Sequence, residues 1–221
     1  MNRSQARSMV MTERGVIATS QTLASQAGAQ TLARGGSAVD AAIAANLVLS
    51  VVEPMMCGIG GDLFAIHRNA KTGELTGINA SGYAPKALTL EKLNFLVPSA
   101  GIHSVTVPGA VDGWAKMHGR FGRLPWSELF APAIYYAERG FPVTEIIQYD
   151  WEHVSEKLRE GVFLPGGRAP RVGEIFRNPD LARAYRILAA EGPEAFYQGE
   201  IAAAILKTSR ELGGTLAEED L

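Results

Sequence analysis

Residues 35–62, GGSAVDAAIAANLVLSVVEPMMCGIGGD, decide how this chain is read. Ser37 is placed as a helix N-cap with Asp40 three residues on, a variant of the capping box, and Gly35 and Gly36 supply the turn before it. The helix is expected to run to about Val52. Ala38, Ala41, Ala42, Ala44 and Ala45 leave little side chain on any face, while Ile43, Leu47, Val48, Val51 and Val52 put apolar bulk on several sides, so the helix should be buried nearly all round. Beyond Pro54, the run Cys57, Gly58, Ile59, Gly60, Gly61 lets backbone pass where a Cβ would clash, and Leu63, Phe64, Ala65 and Ile66 read as a buried strand.

Outward from this centre, residues 15–20 (GVIATS) are of strand type, and 21–34 have helical spacing through Leu23, Ala27 and Leu32 with Gly35 as the stop. Residues 67–79 read as a hairpin partner, with a turn at 71–73 and a returning strand at 75–78. From 80 to 108 the chain is irregular, interrupted by Gly82, Pro85, Pro98, Gly101 and Pro108. Helices are predicted over 111–121, 127–139 and 144–158, punctuated by Gly122, Gly140 and Gly161. Further helices are expected at about 179–190 and 199–212, with Pro179 at the first helical position. Residues 1–14 are expected to form a flexible arm and 15–221 one incomplete domain. Residues 215–221 read as the first turn of another helix, as in the front part of a longer polypeptide.

The 221 residues are 47% hydrophobic and 20% charged with a net charge of -2, a balance that argues against nucleic-acid or membrane-surface binding. Cys57 is the only cysteine, so no intrachain disulfide forms, and an unpaired thiol fits a reducing compartment. With no apolar run of signal-peptide or membrane-span type, the expected location is cytoplasmic.

Candidate chemistry is sparse. The cluster Gly58, Gly60, Gly61 lacks the Lys-Ser or Lys-Thr of a phosphate loop and precedes a strand where a dinucleotide fingerprint needs a helix. His67, His103, His118 and His153 have no metal-ligand spacing and are expected to be surface or satisfied core histidines, so neither metal nor cofactor is predicted. Cys57 follows the electronegative end of a helix, which raises a thiol pKa, and is expected to be a small buried residue. Asp40, Glu53 and Asp62 read as a cap and loop-ordering acceptors, and Trp114, Trp126, Tyr135 and Tyr136 as helix-packing core.

The string GGSAVDAAIAANLVLSVVEP with CGIGGDLF resembles the γ-glutamyltranspeptidase family. The likeness continues through VPGAVDGW at 107–114, LPWSELFAPAIYYAERGFPV at 124–143, NPDLARAYRILAAEGPEAFYQGEIA at 178–202 and GGTLAEEDL at 213–221. It implies an α+β fold, the αββα four-layer sandwich of N-terminal nucleophile hydrolases, of which this chain supplies part of the large subunit. It also implies a proenzyme that cuts itself into large and small subunits. The nucleophile is then a threonine that begins the small subunit, downstream of Leu221, with its own α-amino group as base. The implied partners are that small subunit and a small-molecule amide, with a dimer of heterodimers as one assembly.

One departure bears on the substrate. The family carries an arginine before its AP pair, in a run resembling DGRETAP, to grip the α-carboxylate of a γ-glutamyl group. Here the segment reads Asn79, Ala80, Ser81, Gly82, Tyr83, Ala84, Pro85, with Ser81 in the arginine's place. Ser81 and Tyr83 are therefore the candidate substrate-binding residues. Three readings follow: an amidohydrolase of a small non-glutamyl amide such as oxamate; a γ-glutamyltranspeptidase or glutathione hydrolase with another carboxylate anchor, Arg34 and Arg68 being candidates; and a non-catalytic fragment. Expressed alone, residues 1–221 are expected to fold or dissolve poorly.

Overall fold

The computed structural model describes residues 9–158 and 161–221; most of the expected arm, residues 1–8, lies outside them. The described residues form an α+β arrangement in which helices predominate. In chain order these are α1 (Thr22–Ala33), α2 (Ala38–Val52), β1 (Leu63–Arg68), β2 (Leu75–Ala80), α3 (Ala110–Phe121), α4 (Trp126–Leu129), α5 (Ala131–Arg139), β3 (Phe141–Pro142), α6 (Glu145–Val154), β4 (Ile175–Phe176), α7 (Pro179–Glu191), α8 (Glu194–Tyr197) and α9 (Glu200–Glu211). Strands β1 and β2 pair antiparallel from Leu63↔Ala80 to Arg68↔Leu75, and β3 pairs antiparallel with β4.

Helix α2 is the centre of the core, as its composition predicts. Val39, Ile43, Leu47, Val48, Val51 and Val52 are all buried, and α1, α3, α4 and α5 pack around it. Its capping box is formed in full: Ser37 Oγ accepts from Asp40 N at 3.1 Å and Asp40 Oδ2 accepts from Ser37 N at 2.7 Å. The same Oδ2 accepts from Arg123 N (2.9 Å) and Leu124 N (3.2 Å), so the cap also holds the loop after α3. Polar ends of large side chains join the other helices to this core. Trp114 Nε1 donates to Asn46 Oδ1 (2.8 Å), Tyr185 Oη donates to Leu47 O (3.1 Å), and Trp126 Nε1 donates to Leu188 O (2.7 Å). Glu53, buried at the end of α2, accepts from Ser20 Oγ at 2.6 Å.

Several expectations need correction. Residues 15–20 form no strand, because no strand lies beside them among the described residues; Ile17 instead packs on Gly28 of α1. The expected helix over 127–139 divides into α4 and α5, since Pro132 lacks the N–H that would carry the ladder on. The helix expected to reach Leu158 ends at Val154 and tightens into a 3₁₀ turn over Ser155–Lys157. Strand β1 is covered on one face only: Leu63, Ala65 and His67 turn inward, while Phe64 and Ile66 are 68% and 81% exposed. Tyr135, expected in the core, is exposed. The histidines are less well satisfied than expected, for the buried Nδ1 atoms of His67 and His103 have no hydrogen-bond partner among the described residues. His67 instead stacks on Phe121 with ring centroids 3.9 Å apart.

Candidate functional site

The exit of β2 and the entry to α3 are built against each other, and a cleft of ≈ 420 Å³ opens where they meet. Asn79, Ser81 and Tyr83 line one side, Pro108, Gly109, Asp112 and Lys116 the second, and Glu194, Tyr197 and Gln198 the third. Close backbone approach explains the glycines. A Cβ at Gly82 would run into the carbonyl of Val107, and one at Gly109 into the carbonyl of Ala80. One at Gly113 would lie 2.6 Å from Leu63 Cδ2 and 2.7 Å from Ala80 Cβ. None of the three has a positive φ, so the requirement is space and not backbone conformation.

Hydrogen bonds complete the framework. Val107 N donates to Tyr83 O at 2.9 Å, and Gly61 O, in the glycine-rich loop, accepts from Gly109 N (3.0 Å) and Ala110 N (2.9 Å). Asp62 Oδ1 accepts from Gly82 N at 3.1 Å. Tyr197 Oη donates to Pro108 O (2.9 Å) and accepts from Asp112 N (3.1 Å), using a free N–H of the α3 N-terminus. Burial pushes the Tyr197 phenol up to about 12, opposed by the bond from Asp112 N, so it stays neutral over the physiological range.

The two residues singled out from the sequence meet in this cleft. Ser81 is exposed, and its Oγ donates to Asn79 Oδ1 at 2.8 Å, which also accepts from Ser81 N at 2.9 Å. Tyr83 is 87% exposed, its ring free of the core. Neither arginine suggested as a substitute anchor lines the cleft. Arg34 is engaged with Glu128, and Arg68 lies at the turn end of the hairpin near Gly73. The cation present is Lys116, whose Nζ lies 2.6 Å from Asp112 Oδ2 across one helical turn.

Cys57 is partly buried and lies outside the cleft. Burial pushes its thiol up to about 11, a bond with Ser50 pulls it back, and the Glu53 charge pushes it up further. The expected direction holds, while its main cause is desolvation in place of the helix end. Sequence reasoning missed Asp112, Lys116 and Tyr197 as cleft residues. The i,i+4 spacing of Asp112 and Lys116 marks a pair on one helix face, whereas nothing local to Tyr197 shows that it reaches Pro108, 89 positions away.

The family model described as gamma-glutamyltranspeptidase matches residues 24–221. The chain is 34% identical over 220 residues to a glutathione hydrolase proenzyme of Bacillus subtilis, covering 94% of this chain and 37% of that protein. Among solved structures it is similar to Helicobacter pylori gamma-glutamyltranspeptidase (TM-score 0.90, 31% identity, 96% of this chain and 64% of that one). It is also similar to a cephalosporin acylase from Bacillus halodurans (TM-score 0.85, 39% identity, 100% of this chain and 45% of that one). The fold is thus α+β of the N-terminal nucleophile hydrolase type, and the chain spans just over a third of the Bacillus subtilis relative. On the match over residues 24–221 and these likenesses, the chain belongs to the γ-glutamyltranspeptidase family.

Proposed function

We propose that this chain is part of an amide-bond hydrolase or acyl transferase that takes a small non-glutamyl acyl group, oxamate being one concrete substrate. Its nucleophile is a threonine at the start of a small subunit cut from the same precursor. That threonine attacks the amide carbonyl, the amine departs, and water or a second amine takes the acyl group from the resulting ester. The observation that carries this reading is Ser81 in the cleft, where the family pattern has an arginine. A hydroxyl that donates to Asn79 Oδ1 offers no charge to the distant α-carboxylate of a γ-glutamyl group, whereas a guanidinium binds it through two charge-assisted bonds.

The test is ammonia release from oxamate and from uncharged small amides, beside cleavage of a γ-glutamyl anilide, on the complete processed protein. Turnover of the amides is expected, and turnover of the anilide alone would overturn the reading. Ser81→Arg should shift preference toward the anilide.

A second reading, γ-glutamyl hydrolysis through another anchor, draws on Lys116, a cation lining the same cleft. Under it, Lys116→Ala raises KM for the anilide and Ser81→Arg brings no gain.

A further inference from the structure

We infer that Asp62 is a positioning residue, one that sets the backbone of the Ser81–Tyr83 segment and through it the presentation of both candidate substrate-contacting side chains. The inference rests on the proposed role of that segment. Asp62 ends the glycine-rich loop, and its Oδ1 accepts from Gly82 N at 3.1 Å, the peptide N–H between Ser81 and Tyr83. Thr106 Oγ1 makes a longer contact of 3.4 Å with the same oxygen, so one carboxylate joins the loop before β1, the exit of β2 and the segment leading to α3. The segment itself has little else to hold it. Ser81 and Tyr83 are exposed, Ser81 is hydrogen-bonded among the described residues only to Asn79, and Tyr83 is held through its carbonyl by Val107 N. Gly82 is barred from a side chain by Val107 O, which fixes how near the two stretches come; the Asp62 bond fixes how the Ser81–Gly82 peptide plane is turned.

A charge-assisted bond to a backbone N–H holds that plane without packing, so its loss should loosen the segment and leave the core intact. The test uses the full-length protein with Asp62→Ala and Asp62→Asn, the second keeping an acceptor oxygen at Oδ1. Hydrogen exchange at Gly82 N reads the tie without any substrate: Asp62→Ala should quicken it roughly fivefold or more, with β2 amides at 76–78 unchanged, and Asp62→Asn should restore most of the protection. Steady-state kinetics with the amide that the protein turns over should show KM raised roughly three- to tenfold in Asp62→Ala with kcat little changed, and near-normal KM in Asp62→Asn. Unchanged Gly82 exchange overturns the inference. So does an Asp62→Asn protein that behaves like Asp62→Ala or fails to fold, and a general unfolding of Asp62→Ala would make Asp62 a residue of the fold instead. Absence of amide turnover with the exchange result intact would count against the proposed function, not against the tie.

Discussion

Replacing Asp40 by alanine should cost more than replacing its capping partner Ser37. Asp40 is fully buried, and Oδ2 accepts three backbone N–H groups, from Ser37, Arg123 and Leu124. The Ser37 cap on Asp40 N survives, and each shielded N–H left without an acceptor costs about 1–2 kcal/mol. Arg123 is an exposed residue whose N–H can turn to water, so Ser37 N and Leu124 N carry the penalty. Alanine also removes Oδ1, buried without a hydrogen-bond partner among the described residues and 3.9 Å from His118 Nε2, which offsets about 1 kcal/mol. The net loss comes to about 1–3 kcal/mol, against about 1 kcal/mol for Ser37→Ala, which breaks only the bond from Asp40 N. Urea unfolding of the full-length protein, followed by near-UV circular dichroism, measures both, since Trp126 packs edge-on to His118 beside this loop. Equal destabilisation by the two substitutions would show that Asp40 does no more than cap α2, and the reasoning would fail.

Other expectations follow from the same geometry. Cys57 should label slowly with iodoacetamide at pH 8 and rapidly only as the pH nears its raised pKa of about 11; fast labelling at neutral pH would contradict its burial. Because the folded thiol ionises later than its usual value of 9.0, this group should lower stability as the pH climbs from about 9 to about 11, a loss that Cys57→Ala removes in a pH series of melts. Tyr197→Phe removes the bond to Pro108 O and leaves Asp112 N without its acceptor, at a cost of about 1–3 kcal/mol in denaturant unfolding. In α3, Gly113→Ala should destabilise by about 1–3 kcal/mol through Leu63 and Ala80, whereas Gly119→Ala, where a Cβ meets nothing, should stabilise by about 0.5–1 kcal/mol; equal melting temperatures for the two would refute the packing argument.

What could be read from the sequence was what neighbours along the chain decide. The capping box at Ser37, the buried α2, the turn at 71–73 and Pro179 at the head of α7 all rest on spacings within one or two turns, and all are present. The candidate pair Ser81 and Tyr83 was found through a family pattern, and the cleft does bring them together. Its other walls were not legible, because Asp112, Lys116 and Tyr197 come from three-dimensional approach between segments far apart in sequence. The strand expected at 15–20 shows the converse limit: β-type composition fits a pleated surface, and without an adjacent strand it has none to join. Likewise Phe64 and Ile66 looked buried by composition, while the register of β1 turns them to the uncovered face.

The glycines at 82, 109 and 113 matter to anyone who would alter what this protein acts on. They bear no reactive group, yet a saturation library would score them as intolerant, because a methyl group at 82 or 109 meets a backbone carbonyl and one at 113 meets Leu63 and Ala80. Ranking positions by loss of activity would therefore point an engineer to the three sites least able to confer a new preference. On the proposed role of Ser81 and Tyr83, diversity is better placed at 81 and 83, whose side chains stand in solvent on a backbone that the glycines keep in register.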